Sequence, residues 1–203
     1  MAKRNEPEQM NNAGEAGDFQ QKEQELMEQI HRRMALRAER EELAAVTGVS
    51  DEEILATLQE MGYTRKTVRL LYLVPLVQVA WASGSVTEHE REMVLEAADL
   101  CGALEDSQIH HQMLSWLEER PEQAFFDRTL RVISDILATL PPEKREAGRS
   151  SLVTFCANVA AASGGILGFG SKVSAAEQEV IERIAAELEW GHPAAARQMI
   201  EDF

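Results

Sequence analysis

Few residues in this sequence stand where chemistry could be done, and two glutamates come first. Glu90 lies three positions after Thr87, and Glu177 lies three after Ser174; a valine, Val86 or Val173, precedes each hydroxyl residue. In such a pattern the hydroxyl accepts from the glutamate amide while the carboxylate returns to the Thr or Ser amide, so both pairs read first as helix-capping boxes. Around the first pair, Glu88, Glu90, Glu92, Glu96, Asp99, Glu105 and Asp106 have only Arg91 against them. Such a run is a solvated helix face or, on a sharper reading, a field that attracts a divalent cation or a basic partner surface. The histidines, His31, His89, His110, His111 and His192, include no i,i+4 pair of the kind that chelates on a helix. The string Gly165 to Lys172, GILGFGSK, departs from a phosphate-binding loop because Ser precedes Lys and a helix precedes the glycines. Its Ile166, Leu167 and Phe169 form instead an apolar tip, either for docking a protein or membrane surface or for folding back over the core. No nucleophile elbow or catalytic triad accompanies these groups, so no catalytic residue is assigned and the expectation is a protein that is not an enzyme.

The elements that must hold these groups are helices. Apolar residues make up 44% of the 203, charged residues 27% and aromatics only 5%, with Ala, Leu, Glu and Arg abundant, which predicts an all-α fold. The formal charge of −15 excludes the clustered basic surface that nucleic-acid binding requires. Residues 1–18 are polar and are expected as a disordered tail without the apolar run of a signal peptide. Residues 19–47 carry Phe19, Leu26, Ile30 and Met34 at helical spacing through Glu- and Arg-rich sequence, predicting an amphipathic helical arm. Residues 48–203 then form the main domain. Ser50 and Glu53 read as a capping box for a short helix ending at Gly62. A helix from Thr64 through Ala82 is expected to be buried on nearly every face and kinked at Pro75. Five more helices follow, near 87–101, 107–119, 121–138, 143–163 and 175–189, with a short one after Pro193. The apolar stretches 70–82 and 152–169 are too short, or too interrupted by Thr154, Asn158 and glycines, to span a bilayer. Cys101 and Cys156 sit in apolar helical contexts, as buried thiols of a reducing compartment do, and the three tryptophans are expected in the core.

Compared with itself, the chain shows a repeat. Ala80-Trp81-Ala82-Ser83-Gly84 followed by Val86-Thr87-Glu88-His89-Glu90 parallels Ala160-Ala161-Ala162-Ser163-Gly164 followed by Val173-Ser174-Ala175-Ala176-Glu177, with seven more residues in the second loop. Helix, A-x-A-x-G, loop, V-[ST]-x-x-E, helix resembles the TerB-like (tellurite-resistance TerB) family, in which that unit commonly occurs twice. The likeness covers about Leu70 to Trp190, and Leu167 to Ser174 is similar to a second-unit loop of that family. The resemblance implies a compact multi-helix domain built from two related helix-loop-helix units, bacterial stress-linked or membrane-complex contexts, and a metal-binding acidic face to which Glu90 and Glu177 would contribute. It does not imply catalysis. The family's Asp before the loop glycine is replaced here by Ser83 and Ser163, which removes two carboxylates from a hard-cation site.

The functional expectation is a non-catalytic TerB-like interaction or scaffold protein acting within a larger, membrane-associated or stress-response complex. Its partner-binding residues would be Phe19, Leu26, Ile30 and Met34 on the arm and Ile166, Leu167 and Phe169 on the loop, engaging a protein partner, a second copy, or a membrane surface peripherally. The alternative is a divalent-metal-responsive domain of Ca²⁺ type, using Glu90 and Glu177. The expected location is the cytoplasm, at the periphery of the inner membrane if a membrane is involved, with no cofactor beyond that cation.

Overall fold

A computed structural model describes residues 8–100, 102, 108–162 and 173–189, with side chains from residue 21 onward. Among these, every regular element is helical: α1 (Glu8–Thr47), α2 (Glu52–Glu60), a 3₁₀ segment (Val68–Tyr72), α3 (Val74–Ala80), α4 (Glu88–Leu100), α5 (Gln108–Glu118), α6 (Gln123–Ala138), α7 (Pro142–Ala162) and α8 (Ala175–Glu189). No helix among the described residues is long and apolar enough to cross a membrane.

Helix α3 is the axis of the bundle. All seven of its residues are buried, and α4, α6, α7, α8 and the 3₁₀ segment pack around it. A helix that is apolar on all sides can be stable only in such a position. The single kinked helix expected over 64–82 is instead two elements, because Pro75 falls in the first turn of α3, where a missing N–H costs nothing, and the chain upstream tightens into the 3₁₀ turn. Helix α6 is strongly amphipathic and lays Phe126, Leu130, Ile133 and Leu137 against α2, α3, α7 and α8. Gly148 of α7 permits close approach to α6, since a Cβ there would lie 2.9 Å from Leu137 Cδ2.

The start of α2 differs from expectation by one residue. Asp51, not Ser50, is the N-cap, accepting from the amides of Glu53 (2.9 Å) and Ile54 (3.2 Å). An aspartate offers the same acceptor as a serine plus a charge that suits the positive end of the helix. The helix stops at Gly62, whose φ of 80° is a left-handed conformation that glycine adopts without strain.

Helix α1 is longer than expected and serves two purposes. Its backbone is helical from Glu8, so residues 8–18, expected in a disordered tail, carry helix; after Pro7 the sequence has no proline before Pro75, and extending an existing helix is far easier than nucleating one. Residues 21–39 are exposed throughout, whereas Leu43 is fully buried and Ala44 packs beside it. The last turns are fixed to α2 by Arg40 Nε donating to Gln59 Oε1 (3.0 Å) and by Gln59 Nε2 donating to the Leu36 carbonyl (3.1 Å) and Glu39 Oε2 (2.6 Å). The boundary between arm and body therefore falls near residue 39 rather than 47.

Candidate functional site

The two glutamates singled out by spacing come together. Glu90, in the first turn of α4, has no exposed surface, and Glu177, in the first turn of α8, has 1%. Each closes its capping box. Thr87 N and Thr87 Oγ1 both donate to Glu90 Oε2 at 2.7 Å, and Glu90 N donates to Thr87 Oγ1 at 3.3 Å. Ser174 N donates to Glu177 Oε2 at 2.6 Å, and Glu177 N to Ser174 Oγ at 3.2 Å. Val86 and Val173 pack against the core next to them.

The carboxyls also meet each other. Burial raises the Glu90 pKa above its ordinary value; the Thr87 donors oppose that shift, and the neighbouring Glu177 charge adds to it. With both groups ionised, Glu90 Oε1 is buried without a donor; a proton on either carboxyl turns the contact into a hydrogen bond between them. The arrangement can therefore hold one proton between two helix starts.

As a cation site this donor set is thin. Each carboxylate already spends an oxygen on its cap, a Ca²⁺ takes six to eight oxygen ligands, and among the described residues no third Asp, Glu, His or Cys joins the pair to form a metal-sized group. Ser83, at one of the positions where the family carries Asp, is exposed and donates to the Ser85 carbonyl at 3.1 Å; Ser163 lies outside the described residues. The acidic run on α4 resolves into an exposed row, Glu88, Glu92, Glu96 and Asp99, with His89 Nδ1 3.3 Å from Glu92. Glu90 alone turns inward; Glu105 and Asp106 lie outside the described residues.

Of the expected partner-binding residues, three are displayed on the free part of α1: Leu26 at 57% exposure, Ile30 at 43% and Met34 at 65%, with Met27 beside them at 50%. Phe19 is on the same helix, its side chain outside the described set, and Ile166, Leu167 and Phe169 fall outside it altogether. At a rise of 1.5 Å and ~100° per residue, Leu26, Ile30 and Met34 occupy a sector roughly 80° wide, centred about 120° from that of Leu36, Leu43 and Thr47, while Ala44, which packs on the core, shares the azimuth of Leu26. The stripe is exposed on the part of α1 that precedes the buried Leu43. Below it, Arg33, Arg37 and Arg40 line a groove of about 470 Å³ between α1 and the start of α2.

One feature escaped the sequence reading. An apolar cavity of about 340 Å³ opens between the 3₁₀ segment, α3, α4, α6 and α7, lined by Tyr72, Leu76, Leu100, Leu137, Leu152 and Phe155. The available signal was the excess width of the apolar face of α7, where Phe155 and Cys156 are adjacent but only Cys156 is buried. Burial pushes the Cys156 thiol up to about 12, so it is inert. Trp81 and Trp116 pack at the core margin, with Trp81 Nε1 donating to the Trp116 carbonyl (2.8 Å). No protein-family model, curated protein or solved structure matches the chain.

Proposed function

We propose that this chain is a non-catalytic interaction protein of TerB-like type, which uses its helical body as a platform and the free part of α1 as the element that docks. The observation that carries this reading is the exposed row Leu26, Ile30 and Met34 on the part of α1 that precedes its attachment to the body. An apolar row on a lone solvated helix gains nothing from its own domain, and helix-on-helix docking is the usual way such a face is covered. The paired capping boxes at Glu90 and Glu177 support a two-unit body, with the buried carboxyl pair as a joint between units. The cytoplasm, within a stress-linked or membrane-peripheral complex, is the setting the resemblance suggests.

The test is the full chain with Ile30→Asp and Met34→Asp. These residues lie outside the core, so the thermal melt should stay cooperative while association, with itself or with a protein co-purified from the native host, is lost. Retention of every association would refute the reading. A second reading, a divalent-cation-responsive domain, is favoured by the convergence of Glu90 and Glu177. Calorimetry with Ca²⁺ decides it: saturable micromolar heat abolished by Glu177→Gln would support that reading, and absence of heat would remove it.

A further inference from the structure

We infer that the apolar cavity between the 3₁₀ segment, α3, α4, α6 and α7 is a ligand site for a single-chain anionic amphiphile, a free fatty carboxylate, with its alkyl chain in the cavity and its head group on Arg69. The inference goes beyond the docking reading above and does not depend on it. Of the twelve residues lining the cavity, none is charged and only Tyr72 and Ser151 have a polar side-chain atom. Its volume of about 340 Å³ lies at the small end of ligand pockets, which fits one alkyl chain. Among the described residues outside α1, the large apolar side chains left exposed are Tyr72 (41%), Leu100 (82%) and Phe155 (47%), and all three line this cavity. Exposed apolar surface gathered around one opening marks a site that is covered in use.

Charge selects the head group. Tyr72 and Leu100 also line a second hollow, of about 370 Å³, whose wall includes Arg69. Arg69 and Tyr72 are three residues apart in the 3₁₀ segment, so their side chains leave the same face, and both are exposed while Val68, Leu70 and Leu71 are buried. The Arg69 guanidinium reaches the chain just beyond α4, since a Cβ on Gly102 would lie 3.2 Å from its Nη1. Between Glu60 and Glu88 the sequence has no acidic residue, and Arg65, Lys66 and Arg69 stand in that stretch, within a chain of formal charge −15. A guanidinium has five N–H donors in a fork that matches a carboxylate, so Arg69 can take a head group in addition to partners in its own chain.

The two hollows together have the polarity of an amphiphile. An uncharged apolar ligand would leave the Arg69 end unused, and a small polar anion would leave the apolar walls against water. A peptide segment needs partners for its backbone amides and carbonyls, which walls with two side-chain hydroxyls do not supply. A carboxylate on one alkyl chain needs one charged contact and otherwise only apolar surface.

The experiment is isothermal titration calorimetry of the full chain with hexanoate, octanoate and decanoate below their micelle concentrations, with octanol as the uncharged control. Decanoate is expected to bind saturably at one per chain, with affinity rising about fourfold per added methylene along the series. Ser151→Phe, which places a ring in the mouth from an exposed position, should abolish binding while its thermal melt stays that of wild type. Arg69→Gln should weaken octanoate about tenfold, as loss of a charged hydrogen bond does, and leave octanol unchanged. Heat that does not saturate, affinity independent of chain length, undiminished binding to Ser151→Phe, or an equal loss of octanoate and octanol on Arg69→Gln would each overturn the inference. A wild-type dimer that Ser151→Phe dissociates, with no decanoate bound, would assign the cavity to a second copy and overturn it as well. Ile30→Asp and Met34→Asp should leave decanoate binding unchanged, so failure of this inference and failure of the arm reading are distinguished.

Discussion

Replacing Glu90 by glutamine and by alanine separates the two roles its position combines, helix capping and proton sharing. Alanine removes the acceptor of two 2.7 Å hydrogen bonds from Thr87 and leaves that amide without its partner. Loss of a cap costs about 1 kcal/mol, so Glu90→Ala should destabilise by about 1 kcal/mol at pH 4, where the wild-type carboxyls share their proton. Glutamine keeps the acceptor and offers Glu177 an amide donor in place of the shared proton. Because burial and then Glu177 raise the Glu90 pKa against the Thr87 donors, the folded state binds a proton more tightly than the unfolded chain. The stability from that proton is fully present below the unfolded carboxyl pKa of about 4.3 and is lost as pH rises through the raised folded value. Each unit of the shift is worth about 1.4 kcal/mol. Urea denaturation from pH 4 to 8 should therefore show wild type falling relative to Glu90→Gln as pH rises, then levelling off, with glutamine equal to or more stable than wild type at pH 8. A wild-type to glutamine difference that is flat across this range, or a glutamine variant as damaged as alanine, would refute the proton-sharing pair.

Truncation should locate the edge of the body: removing residues 1–34 should leave the urea midpoint unchanged, whereas removing 1–47 deletes the buried Leu43 and should cost about 2–4 kcal/mol. Asp51→Ala should lower stability by about 1 kcal/mol while Ser50→Ala has no measurable effect in the same melts, because only Asp51 accepts from the α2 amides. Gln78, 2% exposed in the middle of α3, has neither side-chain polar atom hydrogen-bonded among the described residues. Gln78→Leu should therefore raise the melting temperature, with a gain of about 1–3 kcal/mol in stability.

Periodicity and caps made most of the helices legible in the sequence. The period-3.6 apolar pattern of α6 and the hydroxyl-plus-glutamate boxes at Thr87 and Ser174 correspond to elements with the hydrogen bonds those patterns call for. Boundaries were less legible where two good caps adjoin, as at Ser50 and Asp51, and where a proline can either bend a helix or begin one, as at Pro75. The candidate site was half visible. Spacing identified Glu90 and Glu177 as caps, but a capping box is a local device, and nothing local tells that two boxes 87 residues apart in the chain share one buried space. The same reason hid the cavity beside Phe155, which exists only where five elements meet. For α1 the amphipathic stripe was plain, yet the sequence did not reveal that the helix changes face along its length, docking by Leu43 and presenting Ile30 elsewhere.

Hydrogen exchange measured by mass spectrometry on the purified full chain, at low and high concentration, tests the central claim that the arm docks on a second molecule rather than on its own body. A solvated helix opens readily, whereas one covered by a partner exchanges as slowly as the interface dissociates. Amides of residues 21–39 should gain protection with rising concentration, or on adding a protein co-purified from the native host, while those of α3 and α6 stay unchanged. Equal protection of residues 21–39 at every concentration and with that protein added would contradict the claim.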